Sequence, residues 1–131
     1  MNTTHRGFTI IELMLIIVLL GVASALFFVQ KNNLEVAFRD EQRKIAINAM
    51  YYSIEEVFYK ANSYYPRTIN DTTLPSVDPN LFTDPKGVKL GESKSEYRYE
   101  PTNCDGDKCK SYSLRTTLEN EADYVKNSRN K

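Results

Sequence analysis

Glu12 is the side chain in this 131-residue sequence with the clearest chemical demand. It is the single charge in FTIIELMLIIVLLGVASALFFV, Phe8 to Val29, and only uncharged, mostly apolar residues follow it. A carboxylate placed among apolar membrane residues costs a few kcal/mol. Glu12 therefore calls for a partner, unless it merely snorkels to the interface near the end of the run. Cys104 and Cys109 are the second group to weigh. They bracket Asp105-Gly106-Asp107-Lys108, and Asp-Gly is a turn signal. The pair closes a hairpin end and reads as a disulfide formed in an oxidising compartment. A loop this small contributes about 2 kcal/mol. A thiol redox site more usually shows Cys-x-x-Cys, and a metal site needs further ligands.

Little else is suited to catalysis. His5 is the one histidine, so the body of the chain has no Ser-His-Asp or Cys-His arrangement to draw on. Paired carboxylates are present, but no spacing singles out a pair. A phosphate-cradling glycine loop is missing too, so any energy source must lie in another protein. The 17 basic and 17 acidic residues balance, which argues against a broad basic face for nucleic acid. No catalytic residue, no cofactor and no direct nucleic-acid site is expected, and the chain does not read as an enzyme.

The elements that must position Glu12 follow from a sharp division of the chain. Twenty-two helical residues span about 33 Å, near the thickness of a bilayer core. Apart from Arg6 and Glu12, every Lys, Arg, Asp and Glu lies after Val29, so the remainder is a water-facing body. Lys31, Arg39, Arg43 and Lys44 follow the run, and a count of flanking positive charges gives no clean orientation. The short head stays cytoplasmic, and the cysteine pair suggests that the body is exported. Three readings fit: a secretory signal peptide cut after Ala23-Ser24-Ala25, a plain signal anchor on a small exported enzyme or binding protein, or a segment that uses Glu12. The first leaves the carboxylate out of place.

Beyond the run, Lys31 to Ala61 has no Gly and no Pro. Leu34, Phe38 and Ile45 fall on one stripe, and Ile47, Met50, Ile54, Val57, Phe58 and Ala61 recur at three and four. This predicts an amphipathic continuation of the same helix, its stripe covered by a globular cap. The breakers Tyr65-Pro66, Leu74-Pro75, Asp78-Pro79 and Asp84-Pro85-Lys86-Gly87 mark a loop-rich start to that cap. Alternation predicts strands at Glu96–Glu100 and over Tyr112, Leu114, Thr116 and Leu118. A last short strand is expected over Glu119–Tyr124, then a frayed tail from Lys126.

His5-Arg6-Gly7-Phe8-Thr9-Ile10-Ile11-Glu12-Leu13, with its unbroken apolar helix behind, closely resembles the processing site of type IV pilins and the related pseudopilins. The resemblance implies that a prepilin peptidase cuts after Gly7 and that the new N-terminal Phe8 is N-methylated. It also implies that Glu12 is the assembly residue, meeting the amine of a neighbouring subunit inside an apolar bundle. The fold expected is α+β and lollipop-like, with a long helix on a small antiparallel sheet. The parts are a leader over 1–7, a membrane or filament-core half over 8–29, an amphipathic half over 30–61 and a cap over 62–131. Many major pilins carry a proline near the end of the apolar run, and here there is none; Gly21 and Ser24 are the small residues where such helices often loosen. A loop in one pseudopilin class binds calcium, and Asp78, Asn80 and Asp84 offer oxygens, but without EF-hand spacing they read as turn residues. The implied function is a structural subunit of an extracellular filament serving adhesion, retraction-driven movement or DNA uptake. Implied partners are membrane lipid, further copies and minor pilins, an assembly ATPase and a membrane platform protein. The alternatives are a pseudopilin of a type II secretion system and the signal-anchored exported protein above.

Overall fold

The computed structural model of the chain describes residues 7–130. Of the expected leader only Gly7 is included; His5 and Arg6 lie outside the described residues. The chain divides into two compact units, with the boundary between Glu35 and Val36. In the first, every described residue to Glu35 is exposed. Helix α1 (Ile10–Tyr52) begins here; with no proline and a single glycine, nothing in its sequence breaks it. Ser24 spends its hydroxyl inside the helix, donating to the Leu20 carbonyl at 2.8 Å.

The second unit is the α+β body. The end of α1 leads into a wider π-helical turn (Ser53–Phe58) and a last α-turn, α2 (Tyr59–Asn62). Ser63, at φ 62°, stops the helix, and its N–H donates to the Tyr59 carbonyl. The sheet is antiparallel throughout. Its spine is β3 (Lys108–Thr116), with β2 (Tyr97–Asp105) along one edge. The short β1 (Tyr65–Pro66) and β4 (Tyr124–Asn127) share the other edge. A long loop with one 3-10 turn (Pro79–Phe82) joins β1 to β2. The core unites Ala46, Ile47, Met50 and Ile54 of the helix with Tyr65, Leu74, Phe82, Tyr97, Tyr112 and Leu114. Each fully buried side chain of this size contributes roughly 1.5–3 kcal/mol by leaving water.

The buried face of the helix keeps Ile47, Met50 and Ile54 of the expected apolar stripe but not Leu34, Phe38 and Ile45. It runs through Asp40, Arg43, Ile47, Met50 and Ile54, while Phe38 is 65% and Ile45 51% exposed. Hydrophobic periodicity found its last three positions and overlooked the first two because they are charged. Arg43 is fully buried, donating to Asp40 at 2.8 Å, Glu96 at 2.8 Å and Glu119 at 3.0 Å. Further along, the π turn adds a residue to the helix and rotates the positions after it. Ser53, Ile54 and Glu55, the first three residues of that turn, all face inwards, and Val57 and Ala61, expected on the stripe, are exposed.

The sheet also differs from expectation at its end. Glu119 and Asn120 give their backbone N–H groups to the Asp40 carboxylate instead of to a strand partner, so pairing resumes only at Tyr124. The tail is docked. The Arg129 N–H donates to Glu55 at 3.1 Å and its guanidinium pairs with Glu56, while the Asn130 N–H reaches the Tyr65 hydroxyl at 3.3 Å.

Candidate processing and assembly site

Gly7 and Phe8 precede the first turn of α1, and Phe8 is 77% exposed. The helix then opens on a reciprocal cap. The Glu12 N–H donates to Thr9 Oγ1 at 3.3 Å, and the Thr9 N–H returns a bond to Glu12 Oε2 at 3.2 Å. The Thr9 hydroxyl also donates to Oε2, at 3.2 Å. Thr-x-x-Glu at a helix start is the capping-box pattern, which satisfies donors the helix itself leaves unpaired. A carboxylate in the first turn is also favoured by the positive end of the helix dipole. Sequence reasoning singled out Glu12 and missed Thr9, although the spacing was there to be seen.

Glu12 Oε1 accepts no hydrogen bond among the described residues, so the carboxylate keeps acceptor capacity. Behind it lies the one helix, among the described residues, that is long and apolar enough to cross a membrane, and none of its most apolar stretch is buried within the chain. Once lipid or a helix bundle surrounds this stretch, a cation next to Glu12 would meet an acceptor flanked by apolar side chains, where an ion pair is screened little by water.

The remaining sequence candidates lie in the second unit. Cys104 and Cys109 face each other across β2 and β3 and are joined as a disulfide. Cys109 is buried and Cys104 exposed. The hairpin turns at Gly106-Asp107. Gly106 has φ 60° and Asp107 no positive φ, the pattern of a II′ turn, and the Gly106 carbonyl accepts from Arg67 at 2.9 Å. Asp78 caps the 3-10 turn by accepting from the Asn80 N–H at 2.9 Å. Asp84 is engaged elsewhere, accepting from the N–H groups of Lys86, Val88 and Glu96. Among the described residues, no three His, Cys, Asp or Glu side chains are grouped to hold a metal ion.

Two charged centres were not anticipated. The first surrounds Arg43. Arg39 adds two bonds to Glu119, at 2.7 and 2.6 Å, and Lys86 pairs with Glu96 at 2.7 Å. The hydrogen bond from Arg39, helped by Arg43, holds the Glu119 carboxyl down at about 2. The second is Glu55, only 3% exposed, which accepts from Tyr112 at 2.9 Å and from Tyr65 at 3.1 Å. Burial, with this neighbouring carboxylate, pushes both tyrosine hydroxyls above their ordinary range. Both centres join the helix to the sheet and its loops.

Residues 2–28 match the family model described as the prokaryotic N-terminal methylation motif. The match covers Gly7, Phe8, Thr9 and Glu12, and it supports a type IV pilin-like or pseudopilin-like prepilin processed by prepilin peptidase. Proteins with this motif are structural subunits of the pilin type. The apolar helix and the motif together fit a membrane-anchored subunit. The comparisons with curated proteins and with solved structures gave no match.

Proposed function

We propose that the chain is a structural subunit that polymerises through its first helix into an extracellular filament. The observation that carries this reading is Glu12. It is fixed in the first helical turn by Thr9, keeps Oε1 for another donor, and heads an apolar stretch none of which is buried among the described residues. Cleavage after Gly7 frees an ammonium on Phe8, adjacent to Thr9, and a separate transfer from a methyl donor then adds one methyl group to it. In an assembled bundle that ammonium pairs with Glu12 of a neighbouring copy. An unpaired charge in such surroundings is strongly unfavourable, so the pair sets register as well as adhesion. Before assembly the helix is held in lipid. The peptidase, minor pilins, an assembly ATPase and a membrane platform protein are the partners this role needs, and the polymer performs adhesion, retraction-driven movement or DNA uptake.

The test is the intact mass and first residue of the mature protein from native cells. The expected chain starts at Phe8, carries one added methyl group and has lost two hydrogens at Cys104 and Cys109. A chain starting at Leu26 would mean ordinary signal-peptide removal, and the filament reading would fall.

A further inference from the structure

The two halves of the Cys104–Cys109 disulfide stand in different surroundings. Cys109 lies on β3, flanked by β1 and β2, with Tyr65 of β1 paired opposite it. It is 1% exposed and belongs to the hydrophobic core. Cys104 lies on β2, which pairs with β3 alone and so forms an open edge of the sheet among the described residues. Every residue from Cys104 to Lys108 is exposed. A cleft of about 300 Å³ borders Cys109, between Tyr59, Tyr64, Lys108 and Lys110. Cys109 adds almost no surface to its wall, so a thiol held in the cleft would not meet the sulfur.

Thiol–disulfide exchange needs a thiolate at one of the two sulfur atoms, and access helps to decide which is attacked. We propose that Cys104 is the reactive sulfur of this disulfide: an external thiol exchanges with the folded chain through a mixed disulfide on Cys104, with Cys109 as the interior leaving group. In the reducing direction the incoming thiolate forms a new bond to Cys104 Sγ, and the bond between Cys104 and Cys109 breaks. Cys109 keeps the electron pair and takes a proton from water. A second equivalent of the thiol then attacks the external sulfur of the mixed disulfide, which frees Cys104 and releases the thiol as its own disulfide. In the forming direction the same steps run backwards. The Cys104 thiolate attacks an external disulfide, and Cys109 closes the bond by displacing the external thiolate. The fold also limits what the exchange disturbs. The β2–β3 pairing skips Asn103, whose φ is 54°, so the Cys104–Cys109 and Asp105–Lys108 pairs are set apart from the rest. An opened tip loosens while the pairs beyond Asn103 hold the remainder of the hairpin. The inference needs only the folded body and stands apart from the filament reading.

The experiment uses the full-length oxidised chain in detergent, with reduced glutathione as the thiol. Samples quenched with acid at short times are digested, and tandem mass spectrometry locates the added glutathione. The expected adduct is on Cys104, in at least tenfold excess over Cys109. Two single-cysteine variants give a second measurement with oxidised glutathione, each checked for protection of the Leu114 amide from hydrogen exchange. Cys109→Ser should be modified at Cys104 at least tenfold faster than Cys104→Ser is modified at Cys109. In concentrated guanidinium chloride the two rates should converge, because the difference comes from burial and not from neighbouring residues. Equal rates in the folded variants, faster modification at Cys109, or a preference that survives unfolding would each overturn the assignment.

Discussion

In the isolated chain Glu12 answers a local need, because its Oε2 accepts from the backbone and hydroxyl of Thr9 at the start of the helix. The charge pair proposed for the filament uses the same carboxylate, and substitution can separate the two roles. Glutamine serves in a capping box about as well as glutamate but carries no charge. Glu12→Gln should therefore be inserted and processed, keep its first turn, and still enter filaments poorly; a normal filament yield would sink the charge-pair account. Glu55 is a different case, a buried acceptor for Tyr65, Tyr112 and the Arg129 N–H. Glu55→Leu leaves these donors unpaired, at roughly 1–3 kcal/mol for each one that water cannot reach. The thermal midpoint of the detergent-solubilised protein should fall by several degrees or more, with Glu55→Gln falling less.

At the scale of elements, the β2–β3 hairpin is tied at its tip by Cys104–Cys109, and β1 pairs with β3 at the same place, Tyr65 opposite Cys109. Cutting the bond should loosen that end of the sheet first. Cys104→Ser is expected to lose about 2 kcal/mol, the value for a short loop in the chain-entropy account. Denaturant midpoints would show it, and hydrogen exchange should rise at Cys109 and Lys110 before it rises at Leu114. Asn103, at φ 54°, sits near the point where β3 changes its facing, between the buried Cys109 and the buried Tyr112. The π turn has a comparable effect in the helix. It turns Glu55 inwards directly after Ile54, where a regular α-helix would carry it partly round towards solvent.

Across the whole body, the Arg43 cluster ties α1 to the loops on both sides of the β2–β3 hairpin, through Glu96 and Glu119. Because its guanidinium is buried, the surrounding carboxylates act as necessary partners and not as surface decoration. Glu119 is held at about 2, below its ordinary value near 4.5. A carboxyl lowered in the folded state contributes stability above the unfolded value, and that contribution is lost as pH falls from about 4.5 towards 2. Unfolding midpoints measured between pH 7 and pH 2.5 should therefore fall on the acid side. Glu119→Gln should flatten that limb while lowering stability at neutral pH. An unchanged acid limb in the variant would show that the Arg39 and Arg43 bonds to Glu119 do not set it.

The features that the sequence determined by itself were local or compositional. The apolar run with Glu12, the Gly7-Phe8 junction, the long helix and the cysteine-bracketed turn depend on neighbours a few residues apart. Propensity, hydropathy and spacing therefore carry them, and the Thr9–Glu12 cap was legible by the same rule. Ile47, Met50 and Ile54 were legible as core from their spacing too, but only the tertiary structure decided that Phe38 and Ile45 lie outside the buried side of α1. Its inward face begins with Asp40 and Arg43, and charged residues become core only when carboxylates and N–H groups from some 50 to 80 positions away complete them. The docked tail and the late start of β4 have the same origin. In each, a backbone donor finds a carboxylate on the helix, Asp40 or Glu55, and no local pattern in a sequence reports a partner that distant.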